Sequence, residues 1–173
     1  MELGGGTEIL HDPSNMILHA NPKLPPLMRA AELVVTNFCV GEALSIPMLR
    51  GTWQATEHPL LKAVLGTIVQ DEAAHGVFGF AFLDWAADQL TDEDRAQLAD
   101  VADRAIEGVH LLWEDIARRP KAPAGEVHAL GWMETEAYLE LAHRSLRKVV
   151  IDPLLARGVE VRGTEDRPHL VAA

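Results

Sequence analysis

Residues 59–86 have the sequence PLLKAVLGTIVQDEAAHGVFGFAFLDWA. One set of positions in this segment recurs at alternating steps of four and three, the spacing of one face of an α-helix. These positions are Leu61, Leu65, Ile68, Glu72, His75, Gly79, Phe82 and Ala86. Pro59 fits a first helical turn, and Thr56 or His58 can cap it. We therefore predict a helix from about Pro59 to Gln89.

Glu72 and His75 lie in the middle of this apolar face. Because side chains three residues apart project from the same side of a helix, both can bind one metal ion. Such a short ExxH spacing also arises by chance, and the alternative is a solvated glutamate beside a surface histidine. The apolar positions on both sides favour the metal site, since a buried carboxylate is costly unless it is paired or coordinated.

A second helix, predicted from about Leu27 to Trp53, repeats the pattern with one glutamate near its centre. Its apolar face consists of Met28, Ala31, Val35, Phe38, Glu42, Ile46, Leu49 and Trp53. A turn near residues 55–58 would make the two helices antiparallel neighbours, with Glu42 and Glu72 each about 16–25 Å from the turn. We therefore expect Glu42, Glu72 and His75 to converge on one metal site.

The rest of the chain predicts two further helices. The third begins after Thr91, whose side chain is a natural cap, and ends near Arg118. The fourth runs from about Glu126 to Leu155. No strand-like alternation occurs, so the sequence predicts an all-α fold, a bundle of about four long helices over residues 27–156.

The two ends of the chain have a different composition. Residues 1–26 contain a triglycine and four prolines, which prevent a regular helix. We expect an irregular N-terminal arm that is either disordered or extended across another surface. Residues 157–173 form a polar C-terminal tail.

Composition excludes several classes of protein. The 173 residues carry a net charge of −11, so nucleic acid is not an expected partner. The single cysteine, Cys39, rules out an internal disulfide and fits a reducing compartment; we expect it to be a small core residue. The sequence shows no signal peptide. It also contains no run of about 18 uncharged apolar residues, which a membrane span would require. We predict a cytoplasmic protein.

The segment from about Asn37 to Trp85 resembles the ferritin-like diiron-carboxylate superfamily. The motifs that carry the resemblance are Cys39-Val40-Gly41-Glu42 and Asp71-Glu72-Ala73-Ala74-His75. The resemblance implies a ferritin-like helical bundle and a dinuclear non-haem iron centre with Glu42, Glu72 and His75 as ligands. It also implies that Asp71 holds a ligand histidine of the opposite helix pair.

A complete site in that superfamily takes one Glu and one ExxH from each of two helix pairs. Glu107, Glu140 and His143 repeat the spacing, but the apolar positions of their helices predict that Glu107 and Glu140 face solvent. The chain then carries half a site. An identical chain in a homodimer or a different chain in a hetero-oligomer would supply the rest.

These expectations favour a non-haem diiron oxidoreductase that uses O₂, with a small molecule as a possible substrate. In one alternative, the protein has the same metal site but oxidises and stores iron or scavenges peroxide. Another is a non-catalytic structural or partner subunit with a degenerate half-site.

Overall fold

A computed structural model describes Asp12, residues 20–121 and residues 123–162. This part of the chain is helical and contains no strand, which confirms the all-α prediction. Most of the predicted N-terminal arm, and residues 163–173 of the predicted tail, lie outside it. The helices are α1 Pro26–Val34, π1 Val35–Glu42, α2 Ala43–Ala55, α3 Pro59–Glu72, α4 His75–Ala86, α5 Asp92–Arg118, α6 Ala124–Ala129, α7 Thr135–Leu146, π2 Arg147–Ile151 and α8 Asp152–Leu155.

The first long helix agrees with its predicted bounds but not with its predicted buried face. Segments α1, π1 and α2 form one rod from Pro26 to Ala55, and π1 is a π-helical segment of eight residues that ends at Glu42. Met28, Ala31 and Val35 are buried as predicted. Beyond them the burial moves to Cys39, Val40, Ala43, Leu44, Met48 and Thr52.

The second half of the predicted face, which includes Phe38, Glu42, Ile46, Leu49 and Trp53, is half-buried. A π-turn contains more residues than an α-helical turn. The side chains that follow π1 are therefore rotated about the helix axis relative to a continuous α-helix. The shift turns Glu42 away from the core and towards α3 and α4.

The helix predicted from about Pro59 to Gln89 is divided into two helices, α3 and α4. The chain turns at residues 73–74, where Ala73 donates to the Gln70 carbonyl and Val77 donates to the Ala74 carbonyl, each at 3.4 Å. These bonds span three residues instead of four, so the regular helical ladder stops between Glu72 and His75.

The sequence also predicted a buried apolar face along α3, and this prediction is wrong. Helix α3 has no buried residue, although α4 buries Gly79, Leu83 and Ala86. The face of α3 that the periodicity assigned to a core is therefore only partly covered within one chain.

Helix α5 confirms the third predicted helix. Thr91 caps it through a capping box in which Thr91 Oγ1 accepts from the Asp94 backbone and the Asp94 carboxylate accepts from the Thr91 backbone. The fourth predicted helix is interrupted instead of continuous. After α6 the chain turns at Gly131, where φ is +72° and Trp132 donates back to the Val127 carbonyl at 3.0 Å, a hydrogen bond typical of a helix C-terminus.

The core lies where the first long helix meets α5, α7 and π2. Its fully buried side chains include Val35, Val40, Leu98, Val150 and Leu154. Helices α3 and α4 lie on the other side of the first helix, against α2 and π1.

The rod Pro26–Ala55 is also long and apolar enough to cross a membrane. Core helices pass the same test of length and composition, and this rod packs in the core. Cytoplasmic localisation stays a prediction.

Candidate metal centre

Glu42, Glu72 and His75 meet at one point of the fold. Each offers one ligand atom, and these three atoms all lie within 4.8 Å of one another. In the described part of the chain, no other group of three or more histidine, cysteine or acidic side chains is close enough to hold an ion. The structure thus brings together the three residues that helical spacing selected.

Each of the three residues stands at the end of a helical segment. Glu42 is the last residue of π1, Glu72 is the last residue of α3, and His75 is the first residue of α4. The π-turns of π1 direct Glu42 towards α3, and the break at residues 73–74 separates Glu72 from His75. Irregular helical turns of this kind are frequent at functional sites.

Two glycines allow the helices that carry these residues to approach closely. A Cβ atom on Gly79 would lie 2.8 Å from the Cys39 backbone nitrogen, which cannot move aside, so this position requires glycine. A Cβ atom on Gly76 would meet the tip of the Ile46 side chain, which can shift. The absence of a side chain at Gly79 lets α4 pack closely on the first long helix, on which Glu42 lies.

Among the described residues, the site contains one short polar contact between side chains and one longer one. His75 Nδ1 lies 2.6 Å from Glu72 Oε2. Ser45 Oγ donates to the Glu42 carbonyl at 2.9 Å and lies 3.4 Å from Glu42 Oε2. The site therefore holds two carboxylates, one imidazole and one nearby hydroxyl.

The site is more open than the sequence predicted. The Glu72 side chain is 24% exposed and the His75 side chain is 52% exposed. The expectation of buried ligands is wrong for the single chain, because α3 packs only one side against α2 and leaves the outer side uncovered. Asp71, predicted to hold a histidine of another helix pair, is exposed at the end of α3.

The three side chains are of the types that bind iron, but they are too few for a dinuclear iron centre. Carboxylate oxygen and imidazole nitrogen are the ligands of non-haem iron in helical bundles, where a dinuclear centre takes four carboxylates and two histidines. Glu42, Glu72 and His75 supply half of that complement.

The second ExxH motif contributes nothing to this group. Glu140 is exposed, as predicted. Glu107 is half-buried instead of facing solvent, and α5 buries Ile106 and Trp113 in the same part of the helix while Leu112 is exposed.

His143 and His110, to which the sequence assigned no joint role, meet across α5 and α7. The His143 ring lies 4.7 Å from the Trp113 ring and 6.1 Å from the His110 ring. The apolar spacing of each helix alone gives no signal of this contact between helices.

Cys39 lies one turn before Glu42 and is fully buried. Burial raises the pKa of its thiol to about 12, so the sulfur stays protonated at neutral pH. A protonated thiol is a poor metal ligand, and Cys39 is the small core residue that the sequence predicted.

No protein-family model, curated protein or solved structure matches this chain.

Proposed function

We propose that the chain is a ferritin-like non-haem diiron oxidoreductase that uses O₂, with a centre completed across an interface by a second Glu and ExxH half. The convergence of Glu42, Glu72 and His75 within 4.8 Å carries the proposal. Two carboxylates this close repel each other unless a cation or proton lies between them. A pair of such half-sites would contain the ligands of one diiron centre.

The residues of this chain have separate tasks in the proposed centre. Glu42, Glu72 and His75 would hold iron, which supplies the reduction of O₂ and the oxidation of a substrate. The Ser45 hydroxyl, 3.4 Å from Glu42 Oε2, would help to position that carboxylate. Ile46 and the contacting rings of Phe38 and Phe78, whose centroids are 4.7 Å apart, would form an apolar border of the centre, and the exposed Phe78 ring would be covered by the second half.

Asp71 fits the same proposal. It is exposed beside the half-site, where its carboxylate could accept a hydrogen bond from a histidine on another chain. Such a bond would fix the orientation of that histidine and raise its basicity as a ligand.

Metal analysis combined with oxygen consumption tests the proposal. The wild-type protein, reconstituted anaerobically with ferrous iron, should retain iron after desalting and consume O₂ when air is admitted. Glu72→Ala and His75→Ala should lose both properties. Glu140→Ala, in the second ExxH motif, is the matched control and should behave as wild type. Reconstituted wild-type protein that holds no iron contradicts the proposal.

One observation favours a second candidate function, a non-catalytic subunit. Glu72 and His75 contact each other directly at 2.6 Å, an arrangement that an ordinary side-chain hydrogen bond at i and i+3 also produces. A structural subunit should keep its fold and assembly when Glu42 and Glu72 are both replaced by alanine, and it should take up no iron.

A further inference from the structure

Helix α3 has an apolar sequence but contains no fully buried residue. Leu60 is 54% exposed, Val64 is 49% exposed and Ile68 is 37% exposed. These three residues follow one another at steps of four, so they form a stripe along one side of the helix. Ile68 lies one turn before Glu72, and the stripe therefore leads to the metal site.

Large apolar side chains continue beyond the site on α4. Val77, Phe78 and Trp85 are exposed there, and Phe78 lies one turn after His75. We name five of these residues, Leu60, Val64, Ile68, Phe78 and Trp85, the α3–α4 face. Val77 lies two positions after His75 and projects from another side of α4. Charged side chains are sparse along residues 59–86, where Lys62, Asp71, Glu72 and Asp84 are the whole set. Large apolar side chains exposed along two neighbouring helices are typical of an interaction surface.

The half-site at the centre of the face indicates what covers it. An occupant must bring two more carboxylates and one more imidazole, together with an apolar surface on both sides of them. The α3–α4 face of this chain has that composition itself. A two-fold axis through the site would set the residues before Glu72 in one copy opposite the residues after His75 in the other, an isologous contact.

Charge opposes this contact unless a cation is present. Each chain carries a net charge of −11, and docking two copies would bring two sets of Glu42, Glu72 and Asp71, six acidic residues in all, to one place. Like charges that lose solvent in a contact destabilise it strongly. Bound metal cations would neutralise the carboxylates, so metal binding and docking should reinforce each other.

We propose that the missing half of the site comes from a second copy of this chain docked through the α3–α4 face, and that metal binding drives this dimerisation. The inference rests on the proposed function, because it requires Glu42, Glu72 and His75 to bind metal.

Native mass spectrometry and sedimentation of the whole chain test the dimer. Under anaerobic conditions with ferrous iron, we expect a dimer that carries one iron per chain. In EDTA the dissociation constant of the dimer should rise by roughly 10-fold or more, the size of a typical coupling between two binding events.

A charge on the face should separate the copies without touching the ligands. Val64 lies two turns before Glu72 and is exposed, so Val64→Asp should leave the helical circular dichroism unchanged. It should also give a monomer with at least 10-fold weaker iron retention. Leu111→Asp places the same charge at an exposed leucine of α5, outside the face, and should dimerise as wild type.

The possible failures are distinguishable. Iron retained by a wild-type monomer overturns the dimer and leaves a metal site in place. An equally tight dimer with and without iron overturns the metal linkage. A dimer in Val64→Asp as tight as in wild type overturns the assignment of the face. Wild-type protein that never binds iron overturns the proposed function together with the linkage.

Discussion

Glu42 and Glu72 hold positions that stability alone would not favour. Their carboxylates approach each other and His75 within 4.8 Å, and the two acids come from helices that are otherwise apolar on this side. Without a cation, two ionised carboxylates at this distance would repel each other. Residues that lower stability where they stand are typical of functional sites.

Replacing Glu42 with glutamine should therefore stabilise the metal-free protein. The substitution removes one charge of the pair and keeps the shape of the side chain, so we expect a gain of roughly 0.5–1 kcal/mol in the free energy of unfolding. Urea denaturation in EDTA measures it. Glu140→Gln, at an exposed position on α7, is the control and should change nothing. A loss of stability in Glu42→Gln would contradict the expected repulsion.

The buried thiol of Cys39 should make the protein sensitive to alkali. Its pKa is raised from 9.0 to about 12 in the fold, chiefly by burial. The unfolded chain therefore loses the proton first, and stability present below pH 9 should fall as the pH rises from 9 towards 12.

Two measurements follow from the protonated state of this thiol. Iodoacetamide at pH 8 should label Cys39 slowly in the native protein and rapidly in urea. The free energy of unfolding of Cys39→Ala should fall less than that of the wild type as the pH rises above 9, because the variant has no thiol to ionise. Fast labelling of the folded protein would mean that the thiol is accessible or ionised.

At the scale of helices, contact between α4 and the first long helix depends on Gly79. A Cβ there would meet the Cys39 nitrogen at 2.8 Å and Phe38 Cβ at 2.9 Å. Because a backbone atom cannot swing aside, the two helices would have to separate.

Gly79→Ala should lower the free energy of unfolding by about 1–3 kcal/mol, the range of an overpacked core. It should also weaken metal binding, since His75 lies on the displaced helix. Gly108→Ala on α5 is the matched control, where a Cβ meets nothing within 4 Å. The control should raise stability by roughly 0.5–1 kcal/mol through its better helix propensity. Equal effects at the two glycines would contradict the close approach.

At the scale of the whole molecule, the proposed metal should add a link between the outer helices α3 and α4 and the first long helix, against which they pack. Helix α3 has no buried residue, and its last residue, Glu72, lies beside Glu42 of π1. A cation bound there would link the α3–α4 pair to the helix that forms the core.

Metal removal should therefore lower global stability. At a free metal concentration 100 times the dissociation constant, binding to the folded state alone stabilises it by about 2.7 kcal/mol. Thermal unfolding with ferrous iron and with EDTA should differ accordingly, whereas His75→Ala should melt at one temperature in both. An identical melting temperature for the wild type in both conditions would exclude a stabilising ion.

Helical spacing in the sequence determined much of this protein. Thr91 with Asp92, Glu93 and Asp94 specified the start of α5, because capping and the helix dipole act within one turn. The positions of Glu42, Glu72 and His75 on their helices followed from the same local periodicity. These features depend on residues a few positions apart, so the sequence alone predicts them.

The tertiary structure decided which faces are covered. The π-turns at Val35–Glu42 rotate the buried face of the first helix, and the turn at Gly131 divides the predicted fourth helix. Helix α3 stays open, although its periodicity is that of a core helix. Burial depends on which neighbour packs on each face, and that neighbour is distant in the sequence. For the same reason, sequence placed Glu42, Glu72 and His75 at one level, but only the packed helices showed that they form an open half-site.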